Sequence, residues 1–522
     1  MELKLYALYA RFAVIEINDG GHFNTGSEYE IYLNGELYAK TNRTVNYIDG
    51  LKPDTEYGIS VKNSQGTGAE IFFTSRHEFV TLNVKKFGAK GDGVTDDTVF
   101  IQAAIYACPA ESRVLVPKGV YKVTSLFLKS GVNIELAEGA VILADSERYS
   151  HPIFPGMIQS YDETDEYNLG TWEGNPLQMF AGIITGVGVR DVCLYGRGTV
   201  NGNASHKDWW YDEKKMRGAF RPRLLFLERC ENVSVFGVSF ENSPSWTLHP
   251  YFSKNVTVCA VSITNPPNSP NTDGIDIESC TNADILGVDF SLGDDCIAVK
   301  SGKIYMGRKY KTPSENIHIR SCRMQNGHGA VTLGSEMSAG VKNLTVEKCL
   351  FKNTDRGLRI KTRRGRGELS VIDNIVFRNI EMDGVKTPFV ANSFYFCDPD
   401  GRTDYVQNRE PLPVDERTPY INRLVFENIR CRSCHVCAAF FIGLPEKKIT
   451  EIVMKNIEIS FAENAEKGVP AMLCGVKEMS RAGIIAENVE TIRFENAAIS
   501  GQDGEPCRLC NVDTVKGEII CR

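Results

Sequence analysis

Four short polar clusters in the middle of the chain hold the residues best suited to chemistry: Asn271-Thr272-Asp273, Gly293-Asp294-Asp295, Gly327-His328-Gly329 and Arg359-Ile360-Lys361. They accompany apolar segments that align as Asp273-Gly-Ile-Asp-Ile, Asp295-Cys-Ile-Ala-Val, Gly329-Ala-Val-Thr-Leu and Arg356-Gly-Leu-Arg-Ile, one turn-into-strand repeated. If successive copies stack as parallel strands, equivalent positions lie roughly 4.8 Å apart. Three aspartates, one histidine and two cations then share a small patch. Two neighbouring carboxylates are the minimum apparatus for hydrolysing a glycosidic bond, one protonating the leaving oxygen and the other activating water or attacking the sugar. Beside them Arg356, Arg359, Lys361, Arg363, Arg364 and Arg366 form a dense basic run in a chain of formal net charge -7. That pairing suits a substrate carrying its own carboxylates, an anionic sugar polymer.

A lone aspartate ahead of a strand is ordinarily a turn cap. Three together repel one another, and such clusters are usually kept for shared-proton chemistry. Alternation points Ile275, Ile297, Val299, Val331, Leu358 and Ile360 inward, so Arg359 and Lys361 are expected on one solvent-facing stripe. Asp294 and Asp295 cannot both point outward from an ideal strand. At least one belongs to the preceding turn, for which Gly293 offers backbone freedom. Asp294, flanked by two acids, is expected to hold its proton longer than an isolated aspartate. His328 stands one coil beyond Asp294 between two glycines that allow close approach, which favours a functional reading over a plain surface histidine.

The elements that must position these groups are legible as repeats. Asn232-Val-Ser-Val-Phe-Gly-Val-Ser-Phe recurs near Asn255, Asn282, Asn316, Asn343 and Asn374, and further copies begin near Arg423, Glu451 and Thr491. The period of roughly 22 to 35 residues with strand-like alternation predicts a parallel β-helix rather than a leucine-rich repeat, whose leucine consensus is missing. The fold class is therefore all-β: a right-handed parallel β-helix over residues 78–522 with an N-terminal helical cap near Asp97 to Ala107, preceded by a small antiparallel β-sandwich over 1–77. Asp145 to Leu177, His206 to Arg223 and Asp383 to Tyr420 do not fit the repeat and are expected to emerge as inserts walling a cleft. Cys322, Cys349 and Cys431 fall where other copies hold Val or Phe and read as core fillers. Zinc at Cys431, Cys434 and Cys437 lacks the partners for a tetrahedral set. Free thiols predict a reducing, cytoplasmic setting. The acidic balance disfavours nucleic acid, no apolar run is long enough for a membrane span, and the N-terminus shows no export leader.

The four clusters, in this order, resemble the motifs of the polygalacturonases, glycoside hydrolase family 28, from about Val84 to near the C-terminus. The resemblance implies α-1,4-galacturonan hydrolysis without cofactor or metal. It makes Asp294 the general acid, with Asp273 and Asp295 activating water for a single inverting displacement. It has His328 tune the acid, and Asn271, Arg359 and Lys361 bind substrate. Adjacent coils alone suggest a carboxyl spacing near the retaining value of about 5 to 5.5 Å. Tyr395, in an insert, is a candidate for stacking on a sugar. Obstruction by the inserts predicts action from a chain end. The alternatives are a rhamnogalacturonan or xylogalacturonan hydrolase, a calcium-dependent lyase and a non-catalytic glycan-binding solenoid. Leu51-Lys-Pro-Asp-Thr-Glu-Tyr resembles the tyrosine corner of fibronectin type III domains. The oligomeric state is not legible.

Overall fold

The computed structural model describes residues 1–159 and 166–522, so residues 160–165 of the first expected insert lie outside the described residues. Strands Glu2–Leu8, Ala13–Asn18 and Val45–Ile48 pair antiparallel in one sheet. Strands Glu36–Arg43, Asn24–Leu33, Glu56–Asn63 and Gly68–Thr74 form a second. Alternation buries Leu3, Ile15, Ile17, Tyr29, Ile31, Ile48, Ile59 and Val61 between them. The Tyr57 hydroxyl accepts from the Lys52 N–H at 2.8 Å and ties down the bend before its own strand. The module docks against the side of the solenoid. Phe12 is wholly buried, with its ring 4.8 Å from Tyr195 and 5.1 Å from Phe236, and the Arg43–Asp289 pair at 3.0 Å adds a polar tie.

From Thr81–Asn83 onward the chain winds through parallel strands hydrogen-bonded coil to coil. The helix Thr98–Ala107 buries Ile101, Ala104 and Ile105 over the first coil and closes the apolar interior. Its N-terminal amide, on Thr98, donates to Asp96 at 3.0 Å. Asp97 instead accepts from the amides of Lys90 and Gly91.

The recurrent asparagine has a backbone cause. Asn232, Asn255, Asn282, Asn316, Asn343 and Asn374 all sit at left-handed φ near +55°, from 53° to 61°, a conformation that few residues other than Gly and Asn adopt readily. Each after Asn232 also donates its amide to the one before, for example Asn255 to Asn232 at 2.9 Å and Asn282 to Asn255 at 3.0 Å, and Asn232 itself donates to Asp191. Inside, Val, Ile, Leu and Phe stack from coil to coil, and Cys322, Cys349 and Cys431 fill the same positions. Cys434 faces that core too, whereas the Cys437 thiol donates to Gly483 O at 3.0 Å within a separate apolar cluster, so the three cysteines do not converge.

One insert boundary needs correction. Thr387–Asn392, expected within the Asp383 to Tyr420 insert, is a fully buried solenoid strand paired with Arg356–Lys361. Pro388 within it is tolerated, as a proline is where its missing N–H is not needed by the ladder.

Candidate active site

Three successive strands, Ile275–Glu278, Ile297–Lys300 and Val331–Gly334, lie in register with Arg356–Lys361, so that Ile275, Ile297, Val331 and Leu358 stack. All four are wholly buried. Counting back two residues, Asp273, Asp295, Gly329 and Arg356 occupy one repeat position. Asp294, His328 and Asp355 occupy the position before it. Asp294 and Asp295 both precede their strand, which is how adjacent residues reach the same side.

One oxygen from each of Asp273, Asp294 and Asp295 lies within 4.8 Å of the others. This is at or below the spacing that coil geometry suggested. The motif glycines make the approach possible. A Cβ on Gly329 would stand 2.9 Å from Asp295 Oδ1 and 2.3 Å from Thr332 Oγ1, and one on Gly327 would meet Asp294 O at 2.7 Å. Gly293 would strike Pro267 O at 2.3 Å. It does not adopt a left-handed φ, so its role is close approach rather than the turn freedom expected of it.

Arg359 and Lys361 do share one face, but not a solvated one. Arg359 is 7% exposed. Its Nη1 donates to Asp295 Oδ1 at 2.9 Å, and Lys361 Nζ donates to Oδ2 at 2.9 Å. Both cations are thus engaged by one buried carboxylate. Burial pushes Asp295 upward, but Lys361 and then Arg359 outweigh it and hold the group well below the usual carboxylate range.

The expected proton on Asp294 is also corrected. Burial raises this group, yet the hydrogen bond from His328, with Nδ1 at 3.5 Å, overcomes that and leaves it low. The same bond raises His328 above its ordinary value. Asp273 is the raised carboxyl: burial, then the charges of Asp276 and Asp294, push it well up. No ion pair joins Asp273 among the described residues, which is why the strain collects there. Asp294 and His328 titrate as a pair, with the proton favoured on His328.

These groups line a pocket of about 770 Å³. The inserts reach it as expected, with Trp172, Leu177, Lys214 and Phe220 from the first two and Tyr395 and Asp398 from the third. Tyr395 is buried beside Lys361, whose Nζ is 5.8 Å from the ring centroid. Asn271 also lines the pocket, held by Arg221 Nη2 donating to its Oδ1 at 2.6 Å.

The rest of the basic run is neither solvated nor free. Arg363 pairs with Asp400 at 2.7 Å and Asp398 at 3.1 Å, Arg364 with Glu446 at 2.6 Å, and Arg366 with Asp398. These arginines fasten the third insert to the solenoid.

Sequence reasoning missed the opposite wall. Trp246, Lys300 and Glu336 line it, with Lys300 Nζ 3.7 Å from the Trp246 centroid, 3.1 Å from Asp276 and 3.2 Å from Glu336. Lys300 follows Val299 in register with Lys361, so the alternation could have found it. Met472, from the connection after Ile449–Phe461, is a further lining residue with no motif to flag it. Trp172 stacks on Phe220 at 4.7 Å. The turn it opens packs on this wall: Lys303 N–H donates to Gly174 O at 2.9 Å, and a Cβ on Gly174 would lie 2.7 Å from Glu336 Cγ. The first insert is thereby fixed against the pocket, which Trp172, Glu173, Asn175 and Leu177 help to line.

Comparison with known proteins agrees with this geometry. The profile of glycosyl hydrolases family 28 matches residues 109–474, and one described as rhamnogalacturonase A/epimerase, pectate lyase-like, matches residues 81–136. A Vitis vinifera protein named "Probable polygalacturonase" is 30% identical over 439 residues, 82% of this chain and 84% of that one. The Dickeya chrysanthemi exo-poly-alpha-D-galacturonosidase is 27% identical over 403 residues, 70% of this chain and 66% of its own. The Yersinia enterocolitica family 28 exopolygalacturonase superposes with a TM-score of 0.72 over 99% of each chain at 19% identity, a likeness of fold. With four motif clusters meeting in one pocket and a family profile spanning well over half its length, the chain belongs to glycosyl hydrolases family 28.

Proposed function

We propose that this protein hydrolyses α-1,4-galacturonosidic bonds in polygalacturonate and oligogalacturonides, acting from a chain end with inversion. The observation that supports the chain-end reading is the insert-lined pocket: the Trp172–Asn175 turn of the first insert lines it and is held by the Lys303 N–H. In this reading the first insert closes one end of the groove, and a terminal sugar seats against Trp172 and Trp246. The exo-acting Dickeya relative supports the same reading.

In the proposed mechanism the Asp294–His328 pair supplies the proton for the leaving oxygen. Asp294 is the more accessible of the three acids, its side chain 22% exposed against 2% for Asp295. Asp273 and Asp295 hold the water, with the ionised Asp295 as the group that activates it, and His328 keeps the pair charged with its proton. Asn271 and Tyr395 contact the sugar, while Arg359 and Lys361 act on the substrate carboxylate from their places on Asp295.

The short spacing alone would fit a retaining enzyme. Against a covalent intermediate stands the Asp295 pairing: an ester there would neutralise the carboxylate and leave two buried cations without their anion. The same pairing disfavours calcium on the acidic trio, since Arg359 and Lys361 already offset the charge of Asp295.

The N-terminal module fits a fibronectin type III-like spacer, supported by its three- and four-stranded sheets and the Lys52–Tyr57 corner. The free thiols support a reducing, cytoplasmic setting.

Replacing Trp172–Asn175 with a short glycine linker tests the chain-end reading. The native enzyme should release one short saturated product from the outset and the opened variant a ladder of oligomers. A ladder from the native enzyme would sink the reading.

A further inference from the structure

Arg356 differs from the other cations of the pocket in what it touches. Arg359 and Lys361 are engaged by Asp295, and Lys300 sits between Asp276 and Glu336. The Arg356 guanidinium rests on main chain: Nε donates to Pro470 O at 3.1 Å and Nη2 to Val469 O at 2.8 Å. Its Nη1 is 3.5 Å from Asp355, a carboxylate that also faces Lys386 at 3.3 Å. The side chain is 15% exposed. Burial, then the neighbouring Arg359, push this group down to about 10. A guanidinium withdrawn from water beside a second cation, with only a shared and distant anion, favours any carboxylate that can reach it.

Its place along the axis says which carboxylate that is. The repeat position holds Asp273, Asp295, Gly329 and Arg356 in successive coils. Arg356 therefore stands two coils, roughly 10 Å, beyond Asp295, and the position between them has no side chain. The terminal sugar seats at the Trp172 and Trp246 end, so the rest of the polymer crosses Gly329 toward Arg356.

We infer that Arg356 reads the carboxylate of the sugar on the polymer side of the scissile bond, making the enzyme selective for unesterified galacturonan at that sugar. This rests on the chain-end reading proposed above. Arg356 is a specificity residue that touches substrate and takes no part in proton transfer. The rival role is purely structural, a tether for the 469–472 segment.

The test compares trigalacturonate with the analogue methyl-esterified at its middle sugar, using wild type, Arg356→Met and Arg356→Lys. A charge-assisted hydrogen bond predicts that wild type prefers the free acid in kcat/KM by about 10- to 100-fold. That ratio should fall toward one in Arg356→Met and lie between in Arg356→Lys, which keeps the charge but loses the fork. If Arg356→Met does not accumulate as folded protein, Arg356→Gln supplies the same comparison. A ratio that stays at the wild-type value while both activities drop would overturn the inference and leave Arg356 as a tether. Product identity reports separately on the chain-end reading. Cleavage of neither compound by wild type would overturn the hydrolase reading and this inference with it.

Discussion

Asp295 carries the electrostatics of the pocket, and replacing it with Asn isolates that role. The substitution keeps shape and removes one charge. Arg359 and Lys361, with side chains 8% and 12% exposed and each 2.9 Å from an Asp295 oxygen, would then face a neutral amide. Breaking a buried pair from one side costs about 3 to 5 kcal/mol, because the charge left behind is uncompensated. Two cations sharing one anion place the expectation at the upper half of that range. Chemical denaturation at pH 7, followed through Trp172 and Trp246 beside the pocket, should show Asp295→Asn less stable by about this amount. The double variant with Arg359→Met should be destabilised by less than the sum of the single changes, since the second removes a charge that the first left unpaired. The sign with pH follows from the depressed value of Asp295. Its contribution is complete above the unfolded carboxyl pKa of about 3.9 and is lost only as pH falls through the lower folded value. The gap between wild type and Asp295→Asn should hold steady from pH 7 to 5 and close under acid. Equal stability at pH 7, or strictly additive single changes, would refute the pairing and leave both cations free for substrate.

Two further outcomes follow from the same geometry. His328 is raised by its bond to Asp294, so the pair's proton is present below that raised value and lost as pH climbs through it. His328→Gln should draw the basic limb of kcat/KM toward acid by at least about one pH unit; an unmoved limb would show that the proton resides elsewhere. Gly329→Ala puts a methyl 2.9 Å from Asp295 Oδ1, and the buried Thr332 hydroxyl, which has no partner among the described residues, can turn aside but the carboxylate cannot. Displacing it by a few tenths of an ångström should cut kcat about tenfold and stability by about 1 to 3 kcal/mol. Full activity in that variant would mean the motif glycine serves something other than the approach of Asp295.

The solenoid was legible because its period and its inward positions are local properties of the chain. Asn232 and its successors announced each coil, and the left-handed backbone they adopt explains why asparagine was the signal. The motif residues were legible for the same reason, since register alone stacks Asp273, Asp295 and Arg356. What failed was anything decided across the cleft. Arg359 and Lys361 alternate outward as expected, yet Asp295 and the inserts remove them from solvent. The raised proton fell on Asp273 rather than Asp294 because His328 takes up the charge of its neighbour. Lys300 and Trp246 went unnoticed because partners supplied by other coils, not their own neighbours in sequence, make them part of the pocket. Arg363, Arg364 and Arg366 read as part of a basic run suited to an anionic substrate, and only the fold reveals Asp398 and Asp400 in the third insert and Glu446 beyond it as their anions.

A chain-end hydrolase whose proton passes through Asp294 should show both features in one experiment. The most direct measurement incubates polygalacturonate with wild type and Asp294→Asn, following reducing ends and separating products from the first minutes. Wild type should release one short saturated galacturonide at all times, and Asp294→Asn should lose that release. A broad oligomer ladder, an unsaturated product, or undiminished release by Asp294→Asn would contradict this mechanism.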